Sequence, residues 1–185
     1  MEVTLLEMLE AREKRAWRQR ELLGEGQTMV CFTMNIAGPV KNSPLIAQGY
    51  DMGKELLLGQ LAVAGWVVAH FEESRENTGN ECILLVEAPP LDVKAVTTDL
   101  EDDSPLGRLF DMDVLRPDGR KVDRQELGLP GRRCLLCGEN AAACARSRRH
   151  SVAELQEKTT AILQEAVDRA DSAEASRLAC QALLY

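Results

Sequence analysis

Aromatic side chains are scarce in this sequence. Two Trp, two Tyr and three Phe make up 4% of its 185 residues, so a core has to be built mostly from Leu, Val, Ile and Ala. Histidine is scarcer still. His70 and His150 are the only two, and neither supplies a convincing general base; no Ser/His/Asp arrangement is evident either. No Walker-type loop occurs, and nothing marks a nicotinamide or flavin site. No apolar run approaches the ~20 residues that span a bilayer, and the charged N-terminus lacks the apolar block of a signal peptide. The expectation is a cytoplasmic protein that does not engage a membrane. Positive charge is also in short supply. Lys and Arg total 22 against 30 Asp and Glu, a net charge of −8, which argues against general binding of nucleic acid. There is no internal repeat and no low-complexity segment. Six cysteines in such a chain point to thiols or metal ligands before disulfides.

What is present suits a single domain. Apolar residues recur at helical spacing from 4 to 23 (Leu5, Leu6, Leu9, Ala16, Leu22, Leu23), with Gly24 and Gly26 ending the segment. Residues 28–36 are rich in β-formers. Ser43-Pro44 reads as an N-cap followed by Pro at the first helical position, opening a helix to about Ala64. Residues 66–72 and 81–88 read as a β-hairpin around a polar turn, 91–101 as a short helix, 107–114 as a strand and 121–124 as a short return strand. Ser151-Val-Ala-Glu154 is a capping-box pattern that opens a C-terminal helical region. The order α-β-α-β-β-α-β, then a Cys/His segment, then helices, predicts an α+β fold with a small mixed sheet flanked by helices. A core over residues 1–130 would carry the Cys/His segment and C-terminal helices of 131–185 packed upon it. Cys31, Cys82 and Cys180 sit in apolar surroundings and are expected in the core.

Four groups of residues are chemically suggestive. Asp111 and Asp113 lie two apart within an apolar run. On a strand they share one face, with Cα atoms about 6–7 Å apart at ~3.3 Å rise per residue, while Phe110, Met112 and Val114 face the other way. Asp is depleted in strands. The pair is either a divalent-metal site, since Mg²⁺ takes one or two carboxylates plus substrate phosphates, or a solvated acidic face. The loop from Gly38 to Ser43 leads into a helix N-terminus, a place suited to phosphate, and Lys41 adds a positive charge; the plainer reading is a turn whose Gly and Pro serve geometry. Arg12, Arg15 and Gln19 share a helix face that suits either a phosphate clamp or an ordinary solvated surface, the latter favoured. Cys134, Cys137, Cys144 and His150 are the four soft or borderline ligands of a closed, structural Zn²⁺ site, or else buried thiols beside a surface His. Around them Arg132, Arg133, Arg146, Arg148 and Arg149 form a local basic patch suited to a phosphorylated ligand or an acidic protein.

Taken in order, four stretches resemble one family: Arg12 to Gln19 (REKRAWRQ), Gly38 to Lys41 (GPVK), Pro105 to Val114 (PLGRLFDMDV), and the run from Arg132 through Cys134, Cys137 and Cys144 to His150. The family is that of the citrate lyase holo-acyl-carrier-protein synthases, the apo-citrate lyase phosphoribosyl-dephospho-CoA transferases. The resemblance implies a nucleotidyltransferase-like fold and reaction. A triphosphoribosyl-dephospho-CoA group would pass to a serine of the citrate lyase acyl carrier (gamma) subunit, with pyrophosphate leaving. It implies Asp111 and Asp113 as catalytic Mg²⁺ ligands, and Lys41, Arg108, Arg12, Arg15 and Gly38 around the triphosphate. It also implies the basic patch as a dock for an acidic carrier. A third carboxylate is common in nucleotidyl transfer, and Asp99, Glu101, Asp102, Asp103 and Asp123 are its candidates. Two alternatives stand beside this reading: the same transfer to a malonate decarboxylase carrier subunit, and a non-catalytic, zinc-stabilised adaptor for an acidic protein.

Overall fold

Three helix starts follow directly from capping chemistry. Thr4 and Glu7 form a reciprocal box: the Glu7 N–H donates to Thr4 Oγ1 (3.3 Å) and the Thr4 N–H to the Glu7 carboxylate (2.7 Å). Ser43 accepts from the Ile46 N–H (3.3 Å) ahead of Pro44, and Ser151 with Glu154 repeats the box. The structure, a computed structural model, describes residues 1–23 and 26–182, with side chains up to residue 173. Its elements are α1 (Leu5–Leu22), β1 (Thr28–Met34), α2 (Pro44–Val63), β2 (Val68–Glu76), β3 (Gly79–Val86), α3 (Pro90–Asp102), β4 (Phe110–Leu115), α4 (Ala141–Ser147) and α5 (Val152–Ala182). Gly24 and the side chain of Cys180, both named above, lie outside the described residues.

The α-β-α-β-β-α-β order stands, but the sheet is not mixed. Its strand order is β2-β3-β1-β4 and every pairing is antiparallel. The physical reason is where the hairpin goes. The crossover through α2 leaves β2 parallel in direction to β1, yet β3 slots between them; α3 likewise brings β4 parallel to β3, with β1 between. Two split β-α-β units interleave in this way in the ferredoxin-like β-α-β-β-α-β arrangement. The hairpin turn is tighter than expected: β2 runs on to Glu76 and β3 begins at Gly79, so that the two pair across only Asn77 and Thr78. The expected return strand at 121–124 reduces to one bridge, Leu115 to Lys121, followed by a 3₁₀ turn at Arg124–Leu127. The capping of that turn by Asp123 and Glu126 outcompetes a ladder.

The sheet's two faces differ. On one, Val30, Phe32, Leu84, Val86, Met112 and Val114 join residues of α2, α3 and α5 in the main core. Scarce aromatics are concentrated there: Phe32 stacks on Tyr50 (5.1 Å between centroids) and meets Phe110 edge-on (5.4 Å). The other face carries a small cluster of Met29, Cys31, Ile83 and Leu85, closed by Leu22, Leu23 and Leu115. There α1 behaves unlike its apolar pattern. None of its residues is buried, and Leu5 and Leu6 are exposed; the helix turns Arg15, Arg18 and Gln19 toward the sheet instead. The edge of β4 is sealed by α3. The buried Glu101 carboxylate accepts from the Met112 N–H (2.8 Å) and the buried Lys94 ammonium donates to the Met112 carbonyl (3.1 Å), occupying groups a free edge would expose.

Candidate active site

Strand β4 keeps its period of two: Phe110, Met112 and Val114 are buried, while Asp111 is exposed and Asp113 half-buried on the α1 side. The register then builds rows across that face. Asp111 sits beside Thr33, which sits beside Glu81; Asp113 sits beside Cys31, then Ile83. The two carboxylates are not equivalent. Asp113 is engaged by the Lys121 ammonium at 2.5 Å, whereas the nearest cation to Asp111 is Arg132 at 3.8 Å. Desolvation by the surrounding side chains, then the Asp113 charge, pushes the Asp111 carboxyl above the usual range.

Asp111 opens into a cleft of 150 Å³ whose walls bring together residues far apart in the chain: Arg12 and Arg15 from α1, Thr33 and Asn35 from the end of β1, and Lys41 from the following loop. Arg15 is aimed by Glu81, whose carboxylate it meets at 2.5 Å and which Arg18 also pairs. Burial lowers the pKa of Arg15, opposed by Cys31 and both aspartates. The Lys41 ammonium donates to the Ile36 carbonyl (2.5 Å), and its pKa is lowered by burial and by the Arg12 charge. Among the described residues Arg12 has no ion-pair partner. Gln19 completes that helix face by donating to Cys31 Sγ (3.0 Å). The face of α1 that suited either a clamp or a solvated surface therefore lies against the sheet.

Two residues named with this group lie elsewhere. Arg108 is committed to the Asp102 carboxylate (3.1 Å) and the Arg133 carbonyl, and it lines a separate cavity. Gly38 has φ +84°, and a Cβ on it would stand 2.2 Å from the Gln156 amide of α5, so its missing side chain serves that packing. None of the five further carboxylates shares the face with Asp111. Glu101 holds the β4 edge, Asp102 pairs with Arg108 and Arg124, Asp123 caps a 3₁₀ turn, and Asp99 and Asp103 end α3. An acid that does share it, in the row of Asp111, is Glu81, 8% exposed. Its signal in the sequence was a lone Glu within an apolar strand, the same signal that marked the aspartates.

The Cys/His segment folds into a knot of its own. The ligand atoms of Cys134, Cys137, Cys144 and His150 all lie within 4.8 Å of one another, with Cys137 Sγ 3.5 Å from Cys144 Sγ and 3.3 Å from His150 Nε2. Local turns achieve this. The Gly138 N–H donates to the Cys134 carbonyl (3.1 Å), and Asn140 caps α4, which carries Cys144. Arg148, the one non-glycine residue with positive φ among the described residues (φ +48°), turns the chain so that His150 comes back to the thiols. Burial and the adjacent thiols push Cys144 up to about 11. A cluster of three thiols and an imidazole at this spacing has the donor set of tetrahedral Zn²⁺, whose sulfurs stand roughly 3.8 Å apart at a Zn–S length of about 2.3 Å. The basic patch is uneven: Arg132 turns inward to donate to the carbonyls of Phe110 (2.7 Å) and Arg108 (2.9 Å).

Residues 3–166 match the sequence model of a family described as apo-citrate lyase phosphoribosyl-dephospho-CoA transferase. The chain belongs to that family. Proteins of that name from Citrobacter koseri and from Escherichia coli are 39% and 36% identical to it, over 89% and 88% of this chain and 90% of each relative. A relative of the same name from Shigella boydii is also 36% identical to this chain, over 88% of it and 90% of the relative. The matched span contains all four motif stretches, from Arg12 to His150, and hence both the Asp111 cleft and the Cys/His knot; residues 167–185 lie beyond it. No helix among the described residues is long and apolar enough to cross a membrane.

Proposed function

We propose that this chain transfers the 2′-(5-triphosphoribosyl)-3′-dephospho-CoA group to a serine of an apo-citrate lyase acyl carrier protein. Family membership supports the reaction, and the observation that carries its location is the cleft that gathers Asp111 with Arg12, Arg15 and Lys41. The chemistry is nucleotidyl transfer. The carrier serine's Oγ attacks the phosphorus nearest the ribose and loses its proton to solvent, the new O–P bond forms a phosphodiester, and the bond to the outer two phosphates breaks to release pyrophosphate. Three cations around the cleft neutralise the triphosphate so that an oxygen nucleophile can approach it. Arg15, held by Glu81, is a pre-aimed donor, and Arg12, with no ion-pair partner among the described residues, is left for the substrate. The attacking oxygen comes from the partner, so this chain need not supply a nucleophile of its own.

Asp111 and Asp113 fit Mg²⁺ in donor chemistry, being hard oxygen ligands on one strand face, with Asp111 the freer of the two. Bound there with substrate phosphates, the ion would polarise the phosphoryl oxygens and stabilise the leaving oxygen. The knot of Cys134, Cys137, Cys144 and His150 fits Zn²⁺ in a closed site whose role is structural, stapling α4 and the start of α5 to the rest. The reaction belongs in the cytoplasm, where thiols stay reduced.

The decisive experiment incubates the protein with the precursor, Mg²⁺ and apo carrier, and weighs the carrier by mass spectrometry. A gain equal to the precursor less pyrophosphate is expected. No gain with competent substrates would sink the reading. Offering citrate lyase and malonate decarboxylase carriers side by side separates the two acceptors.

A further inference from the structure

Between the Cys/His knot and the start of α5 lies a cavity of 610 Å³, within the range of about 300–1,000 Å³ common for small-molecule sites. Four arginines line it (Arg108, Arg132, Arg133 and Arg148) and no carboxylate does. Arg108 and Arg132 spend hydrogen bonds on backbone carbonyls. The guanidinium groups of Arg133 and Arg148 have no ion-pair or hydrogen-bond partner among the described residues. The remaining wall is largely apolar, with Leu109, Leu135 and Leu155 facing the space. An apolar hollow with unpaired cations at its edge suits a ligand that has both a ring or alkyl portion and phosphates.

The position of this cavity narrows the choice. Asn35 lines both it and the cleft of Asp111, and Arg132, in its wall, reaches to 3.8 Å from the Asp111 carboxylate. The two hollows therefore adjoin. The precursor is a two-armed molecule. One ribose carries the triphosphate, and the adenosine to which it is joined carries a diphosphate and the pantetheine chain.

Resting on the transfer reading above, we infer that this cavity receives the 3′-dephospho-CoA half of the precursor while the triphosphate occupies the cleft. Adenine or pantetheine lies against the leucines, and the diphosphate meets Arg133 and Arg148. The Cys/His knot then has a second consequence. Cys134, Cys144 and His150 are part of the cavity wall, so an ordered knot is a condition for substrate binding as well as for folding.

The test uses two simple ligands, 3′-dephospho-CoA and inorganic tripolyphosphate, titrated calorimetrically into the full-length protein. Arg148→Gly removes the guanidinium and places glycine where φ is already positive, so the fold is spared. Ala141→Phe fills the cavity from α4 without touching charge. Loss of a charged hydrogen bond predicts roughly 10-fold or greater weakening for dephospho-CoA in Arg148→Gly. Ala141→Phe should weaken it comparably, and tripolyphosphate should bind both variants as it binds the wild type. Arg12→Ala should reverse the selectivity. The inference is overturned if wild type fails to bind dephospho-CoA, if both cavity variants bind it normally, or if they lose both ligands together. It is also overturned if they lose affinity only for the carrier, which would make the cavity a protein dock. Carrier modification by wild type is read separately. If the carrier gains mass while the cavity variants keep the wild-type KM for precursor, the transfer reading stands and this one falls.

Discussion

Glu101 is the residue whose removal best tests how the site is held. It is 3% exposed and has two tasks: one oxygen accepts from the Met112 N–H at 2.8 Å, between the two aspartates, and the other pairs with Arg124 at 2.8 Å. In Glu101→Ala the Met112 N–H loses its acceptor inside the protein, which costs about 1–3 kcal/mol. Arg124 loses one buried partner but keeps Asp102 at 2.9 Å, so the broken ion pair adds less than the roughly 3–5 kcal/mol of an orphaned charge. About 3–5 kcal/mol in all is expected. For a chain of this size, ~2–4 °C per kcal/mol converts that to a fall in Tm of about 6–20 °C. Glu101→Gln keeps an acceptor for Met112 and loses only charge, so it should cost about 1.5–2 kcal/mol. Urea titrations followed by circular dichroism give both values. An Ala variant within about 1 kcal/mol of wild type would refute the idea that this carboxylate secures the strand. A Gln variant as damaged as the Ala one would show that the ion pair, not the bond to Met112, is the larger contribution.

Asp111 has a raised folded-state pKa, so its ionisation opposes folding: its favourable contribution is present below the unfolded pKa and lost as pH rises through the folded one. Asp111→Asn should therefore raise Tm slightly at pH 7 while abolishing transfer, and an inactive but destabilised variant would contradict the assignment. Asp113→Asn removes the second cause of that shift, so the Asp111 titration followed by carboxylate ¹³C NMR should move to lower pH. In Gly107→Ala the new Cβ would lie 2.1 Å from the Leu100 carbonyl, a backbone atom that cannot swing aside, and a loss of about 1–3 kcal/mol or more is expected. Gly59→Ala, where nothing lies within 4 Å on helix α2, should instead gain about 0.5–1 kcal/mol; equal effects in the two variants by thermal melts would contradict the packing argument. Protein purified without added metal should hold one zinc per chain by elemental analysis, and Cys144→Ser should lose it with a lower Tm; a metal-free protein with wild-type Tm would return the cysteines to ordinary packing.

Local rules made much of this molecule legible. Ser43-Pro44 and Ser151 to Glu154 mark helix starts because caps satisfy their own neighbours' N–H groups, with no need of the rest of the chain. The alternation from Phe110 to Val114 assigned both aspartates to one face for the same reason, since the period of a strand is local geometry. The ring of Cys134, Cys137, Cys144 and His150 was legible because its residues lie within one short segment whose turns close upon themselves.

What stayed hidden depends on pairings between distant residues. The leucine pattern of α1 marked a helix but not which of its faces packs inward. Only the tertiary structure turned the arginine face inward, because Glu81 on β3 supplies the counter-charge that the sequence places 66 residues from Arg15. The strand register puts Glu81 in the Asp111 row, and Arg108, in the 3₁₀ turn before β4, lines another cavity. The sequence by itself determined which residue types were available, where the helices start and which side chains share a strand face, since those follow from the chain's own periodicity. The antiparallel order β2-β3-β1-β4, the meeting of Arg12, Arg15 and Lys41 with Asp111, and the adjoining of cleft and cavity at Asn35 were decided only by how the hairpin inserted and the helices packed. Those are long-range contacts, and no local period encodes them.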